Sequence, residues 1–201
     1  ADAPASDLHR DAAGIAVDRE VGAVRVPAGV GFDPGGVGKG LAADLVADQI
    51  SAEGAAGVLV NIGGDLRAVG YGPGGDDWTV DVDPADTGLP LARVALHQGG
   101  LATSTVLRRR WRVAGRQAHH VIDPRTGAPA DTGVVAAVVL ARCAWQAEVL
   151  AKAALTRPLD DARDLVASLG ADAVLVDEVG TLHPTAGFAR FAVAVPTDTR
   201  S

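Results

Sequence analysis

Short runs of Val, Leu and Ala, alternating or continuous and cut at close intervals by Gly, Pro or Asp, dominate the chain. Such runs predict strands over 22–27, 57–62, 66–70, 78–82, 92–97, 111–113, 119–122, 134–140 and 172–177. In the first of these Val24 and Val26 alternate, and Gly63-Gly64-Asp65 makes a tight turn between the second and third. Helical spacing occurs in fewer places. Residues 37–53 set Leu41, Leu45 and Val46 on one face and stop before Gly54, while 145–156 and 159–169 read as two helices divided by Pro158. Antiparallel-looking strands with a few packed helices predict an α+β fold rather than a regular doubly wound sheet. With no internal repeat or low-complexity linker, residues 1–201 read as one domain behind a polar lead-in within 1–31.

Composition narrows this picture. At 48% hydrophobic residues and a mean hydropathy of +0.18, a chain of 201 residues can bury one medium core and is expected to be soluble and globular. Only 3% of it is aromatic and Met is absent, so that core must be built from small side chains. No stretch approaches the roughly 18 apolar residues of a membrane-spanning helix, and the compartment stays open between cytoplasm and cell envelope. A net charge of −7 argues against general nucleic-acid binding, which needs clustered excess cation. The one basic run reads as an exposed edge strand, with Arg108, Arg110 and Arg112 on one face and Arg109 and Trp111 on the other. The lone Cys143 leaves no internal disulfide or multi-cysteine zinc site and reads as a small buried residue. Of 18 basic residues only Lys39 and Lys152 are lysine, which suits positions where a slim ammonium fits and a planar guanidinium does not.

Four segments carry candidate chemistry. Asp33-Pro34-Gly35-Gly36-Val37-Gly38-Lys39-Gly40 opens a helix and offers backbone N–H groups to an anion. It departs from the nucleotide-triphosphatase loop at Asp33 and Gly40, and a glycine turn with a solvated lysine explains it equally well. In His119-His120-Val121-Ile122-Asp123-Pro124-Arg125-Thr126-Gly127, a strand sends the two histidines to opposite faces, so a shared metal is disfavoured. His120 as general base competes there with a hydrogen-bonded structural histidine. Glu148 and Lys152, four apart on a helix, need be no more than an exposed pair worth about 0.3–0.5 kcal/mol. The segment 99–105, with Thr103, Ser104 and Thr105 after two glycines, faces a phosphate or ribose or simply turns into a strand.

In this order, with Leu59-Val60-Asn61-Ile62-Gly63-Gly64-Asp65 between them, these segments resemble the ApbE-like family of FAD:protein FMN transferases over about 23–177. The resemblance implies a T-fold-like α+β domain that uses FAD and Mg2+ to transfer FMN onto a Ser or Thr of an acceptor flavoprotein, releasing AMP. It also implies that this chain is about the C-terminal two-thirds of the family's usual length. By position it marks Asp33, Lys39, Ile122 and Thr103 as FAD contacts, His120 as the group that activates the acceptor hydroxyl, and Gly36, Glu148 and Lys152 as the metal positions. At the last two the family usually has Asp and Thr. Glu148 keeps a carboxylate on a longer stem, but a protonated lysine has no lone pair for a metal and repels it. The metal is then weaker or displaced, or the Lys152 ammonium supplies part of its charge, or Lys152 merely neutralises Glu148. An FAD pyrophosphatase and a silent FAD-binding carrier are the alternative functions.

Overall fold

The computed structural model describes residues 14–84, 91–113 and 115–193, so most of the polar lead-in lies outside the described residues. In chain order the elements are β1 (Ala16–Asp18), β2 (Ala23–Arg25), α1 (Gly38–Ala52), β3 (Gly57–Ile62), β4 (Asp65–Gly70), β5 (Trp78–Val82), β6 (Ala92–Leu96) and β7 (Gly99–Thr105). They continue with β8 (Arg110–Val113), β9 (Arg116–His119), β10 (Val134–Ala141), α2 (Ala144–Leu155), α3 (Leu159–Ser168), β11 (Asp172–Asp177), β12 (Leu182–Pro184) and β13 (Ala192–Val193). The fold is α+β, as the patterning predicts.

A six-stranded antiparallel sheet in the order β12-β11-β10-β7-β4-β3 forms the middle layer. Its continuous apolar strands follow from burial on both faces. Along β10, Ala137 and Val139 join the core beneath α2 and α3, whereas Val138 and Leu140 join a second core on the other side. That second core packs Leu66, Leu101 and Val174 against Val82, Val94 and Leu96 of the small β13-β6-β5 sheet. Each fully buried Val or Leu there contributes about 1.5–3 kcal/mol. No described helix is long and apolar enough to cross a membrane.

Several expectations change. On α1 the residues turned inward are Gly40, Ala43, Asp44 and Ala47, while Leu41, Leu45 and Val46 are 44%, 62% and 43% exposed. The reason is close helix packing: a Cβ on Gly40 would lie 2.5 Å from the carbonyl oxygen of Ala144, so only small side chains fit where α1 meets α2. The strand expected over 119–122 lies instead at Arg116–His119, because the residues after His119 close their own loop. There Ala130 N donates to Val121 O at 3.0 Å, and Gly127 N donates to Asp123 O at 2.8 Å. Residues 99–105 are a whole central strand, β7. In the arginine run only 110–113 is strand, since Arg109 takes a φ of 52° and breaks the alternation. Cys143 is half-buried and stands in the cap position before α2 rather than in the core. β1, β12 and β13 are too short to show a period and were not legible in the pattern.

Candidate active-site cleft

The chain reaches the cleft through a single 3-10 turn, Pro34–Gly36, which Pro34 starts with its fixed φ and Asp33 caps by accepting from Gly35 N at 2.7 Å. Asp33 thus shapes the turn with its carboxylate. One bend later α1 begins, and Lys39 stands in its first turn. Its ammonium lies 2.7 Å from Oδ2 of Asp65, which is 1% exposed. Asp65 arrives there at the start of β4 behind Gly63 and Gly64, whose φ values of 60° and 94° suit a hairpin turn open to glycine. Burial pushes the Asp65 carboxyl above the usual carboxylate range, against the pull of Lys39.

From the opposite side α2 contributes Glu148 and Lys152. Glu148 is fully buried; Oε1 accepts from Lys152 Nζ at 2.8 Å and Oε2 from Gly40 N at 2.8 Å. Burial opposes its charge, but Lys152 and the Gly40 N–H outweigh that, and its pKa falls below the usual glutamate value. This is not the exposed helical pair that spacing alone suggested. The stem of Lys152 runs beside Gly36, where an added Cβ would meet Lys152 Cδ at 3.7 Å.

The cleft between these walls has a volume of about 520 Å³ and is lined by Asp33, Gly36, Lys39, Thr103, His120, Ile122 and Lys152, with Arg108 and Arg109 at one side. The residues singled out by position therefore converge, with Glu148 behind Lys152. His120 is held below the ordinary histidine pKa, first by burial and then by Arg109, His119 and Lys152. His119 goes elsewhere, with Nε2 at 2.9 Å from Ala130 O and its ring on a separate hollow of about 1000 Å³, so the two histidines do not share a site. Asp123 anchors the loop that carries His120 and Ile122: Arg125 lowers its pKa and binds both its oxygens, and also donates to Thr156 O at the end of α2.

Three residues were not picked out from the sequence: Asp65, buried behind Lys39, and Arg108 and Arg109, which line the cleft. Asp65 was hidden as a turn residue, although a carboxylate leading directly into an apolar strand is a signal that it needs a partner. The arginines were hidden by the assumption of strand alternation, which Arg109 breaks.

The divalent ion implied at Gly36, Glu148 and Lys152 does not fit the residues present. The three positions do meet, but Lys152 brings an ammonium instead of a lone pair, and both oxygens of Glu148 are already engaged. Among the described residues no group of three or more His, Cys, Asp or Glu side chains converges on a point.

A family model described as the ApbE family matches residues 5–175. An FAD:protein FMN transferase of Escherichia coli is 30% identical over 151 residues, which is 74% of this chain and 43% of that protein. One of Treponema pallidum is 32% identical over 151 residues, 70% of this chain and 42% of that protein. One of Salmonella typhimurium is 36% identical over 114 residues, 56% of this chain and 33% of that protein. The chain thus spans between a third and a half of the length of these relatives. The crystal structure of the Thermotoga maritima ApbE protein superposes with a TM-score of 0.78 at 29% identity, covering 90% of this chain and 59% of that one. The apo Pseudomonas stutzeri flavinyl transferase ApbE gives a TM-score of 0.72 at 25% identity, covering 90% of this chain and 57% of that one. From its match over most of its length and its shared fold, the chain belongs to the ApbE family.

Proposed function

We propose that this chain provides the phosphate-handling site of an FAD:protein FMN transferase, moving FMN from FAD to a Ser or Thr hydroxyl of an acceptor flavoprotein with release of AMP. The observation that carries this reading is the meeting of Lys39, Lys152 and the depressed-pKa His120 in one cleft, beneath the glycine turn that opens α1. The relatives' names, FAD:protein FMN transferase, supply the substrate.

The chemistry follows from the side chains. The acceptor hydroxyl oxygen attacks the FMN-side phosphorus of FAD; a new P–O bond forms, the P–O bond to the AMP phosphate breaks, and AMP leaves. His120, whose pKa is depressed by partial burial and by nearby Arg109 and Lys152, takes the hydroxyl proton. Negative charge grows on the phosphoryl oxygens as this happens. Each lysine ammonium has three donors; Lys152 spends one on Glu148 and Lys39 is ion-paired with Asp65, so both retain donors for those oxygens. No step is assigned to a divalent ion, since the Lys152 ammonium already occupies Glu148.

The test is to incubate the chain with FAD and a threonine-bearing acceptor protein, then to follow AMP and in-gel covalent flavin fluorescence. AMP together with a labelled acceptor is the expected result. AMP without label makes the chain an FAD pyrophosphatase instead, and FAD binding without AMP makes it a silent binding domain. Absence of FAD binding rejects the flavin reading altogether.

A further inference from the structure

We propose that Lys152 is the resident cation of this cleft, its ammonium taking the position of a divalent ion between Gly36 and Glu148, so that the pyrophosphate of FAD binds here without Mg2+. The proposal rests on the FAD reading for the identity of the anion, but its central claim concerns the protein alone.

Three observations carry it. Glu148 is wholly buried and both its oxygens are engaged, with Lys152 Nζ on one and Gly40 N on the other, each at 2.8 Å. An incoming cation would have to displace the ammonium from a carboxylate out of contact with water, and would then face a like charge in a weakly screening environment. Next, the lysine stem passes close to Gly36, with its Cδ 3.7 Å from where a Cβ on that residue would stand. The ammonium is therefore placed by packing on one side and by an ion pair on the other. Finally, the same device is repeated across the cleft, where Lys39 sits on the buried Asp65 at 2.7 Å. These are the only two lysines among 18 basic residues, and both stand on buried carboxylates facing one cavity. A slim ammonium can thread between a glycine backbone and a buried carboxylate where a guanidinium is too broad. Arg108 and Arg109 line the same cleft and add fixed positive charge that a single ammonium in place of a divalent ion would lack.

Two measurements on the full chain decide it. The first uses Mn2+ alone, titrated and followed by electron paramagnetic resonance, with no flavin present. The unmodified chain is expected to bind no Mn2+ at millimolar concentration, and Lys152→Thr, which frees Glu148 and adds a hydroxyl donor, is expected to bind it. Mn2+ bound by the unmodified chain and competed off by Mg2+ overturns the proposal, as does a folded Lys152→Thr chain that gains no Mn2+ binding. The second follows quenching of FAD fluorescence in EDTA and in Mg2+. Equal affinity in the two buffers is expected for the unmodified chain, whereas loss of about tenfold or more in EDTA overturns the proposal. Lys152→Thr is expected to lose about tenfold in EDTA and to recover with Mg2+, while Lys152→Met loses it in both. Should FAD fail to bind under every condition, the flavin reading falls, and the Mn2+ arm still decides the identity of the cation. The arms on the unmodified chain do not depend on whether the variants fold.

Discussion

His120 gives up its proton more readily than a free imidazole because burial is reinforced by Arg109, His119 and Lys152 around it. A base must be unprotonated to act, so FMN transfer should rise with pH through a midpoint below the ordinary histidine value of about 6.5 and then level off. Arg109→Gln removes one of the charges that depress this group, and the midpoint should shift upward; a pH profile of AMP release that does not move would count against the assigned base. His120→Ala should lower turnover by about 10²–10⁴-fold while FAD affinity, read by fluorescence quenching, changes little. At this scale the chain was partly legible. Lys39 and Lys152 stood out through the scarcity of lysine, whereas the burial of Glu148 and the role of Asp65 were not visible, since spacing along one helix or one turn does not report what covers it.

Helix α2 needs help at its N-terminus, because Cys143 makes no side-chain cap. That help comes from another element: the Asp44 carboxylate of α1 accepts from Ala144 N at 2.8 Å and Trp145 N at 2.9 Å, with Arg67 Nε 3.3 Å from the same group. Asp44→Ala should therefore cost about 1–3 kcal/mol in urea unfolding, since two helix-end N–H groups lose their acceptor and Arg67 loses a charge partner. The β11–β12 turn depends on one carboxylate in a similar way. Asp177 is lowered to about 2 by His183 first, despite partial burial, and by the N–H groups of Thr181 and Val179. Its folded pKa lies below the unfolded value, so its contribution is complete above the unfolded aspartate pKa of about 3.9 and fades as pH falls through about 2. Thermal melts of Asp177→Asn should show a lower Tm at neutral pH and a weaker dependence on pH across that acid window. Strand and helix ranges were largely readable from periodicity. The caps were not, because their partners lie about a hundred positions away in the chain.

Across the whole molecule, the cleft exists because α1 and α2 pack closely enough for a backbone N–H of one to reach a carboxylate of the other. Gly40 makes that approach possible, and Gly40→Ala would drive a methyl into the Ala144 carbonyl, 2.5 Å from the Cβ position. A stability loss of about 1–3 kcal/mol is expected, together with weaker FAD binding as Glu148 and Lys152 shift; unchanged stability would show that the helices can move apart freely. The same close packing explains why α1 buries alanines and leaves Leu41, Leu45 and Val46 in solvent, contrary to the amphipathic pattern. Apolar periodicity, glycine turns and Pro158 determined the α+β class and most of its longer elements by themselves, because they act over a few residues of backbone and side chain. Which carboxylates would be buried, which cation would sit on each, and that Lys152 would rest on Glu148 with its stem beside Gly36 were decided only by the tertiary structure. Those outcomes depend on the desolvation and close approach of groups that have no relation until the helices meet the sheet.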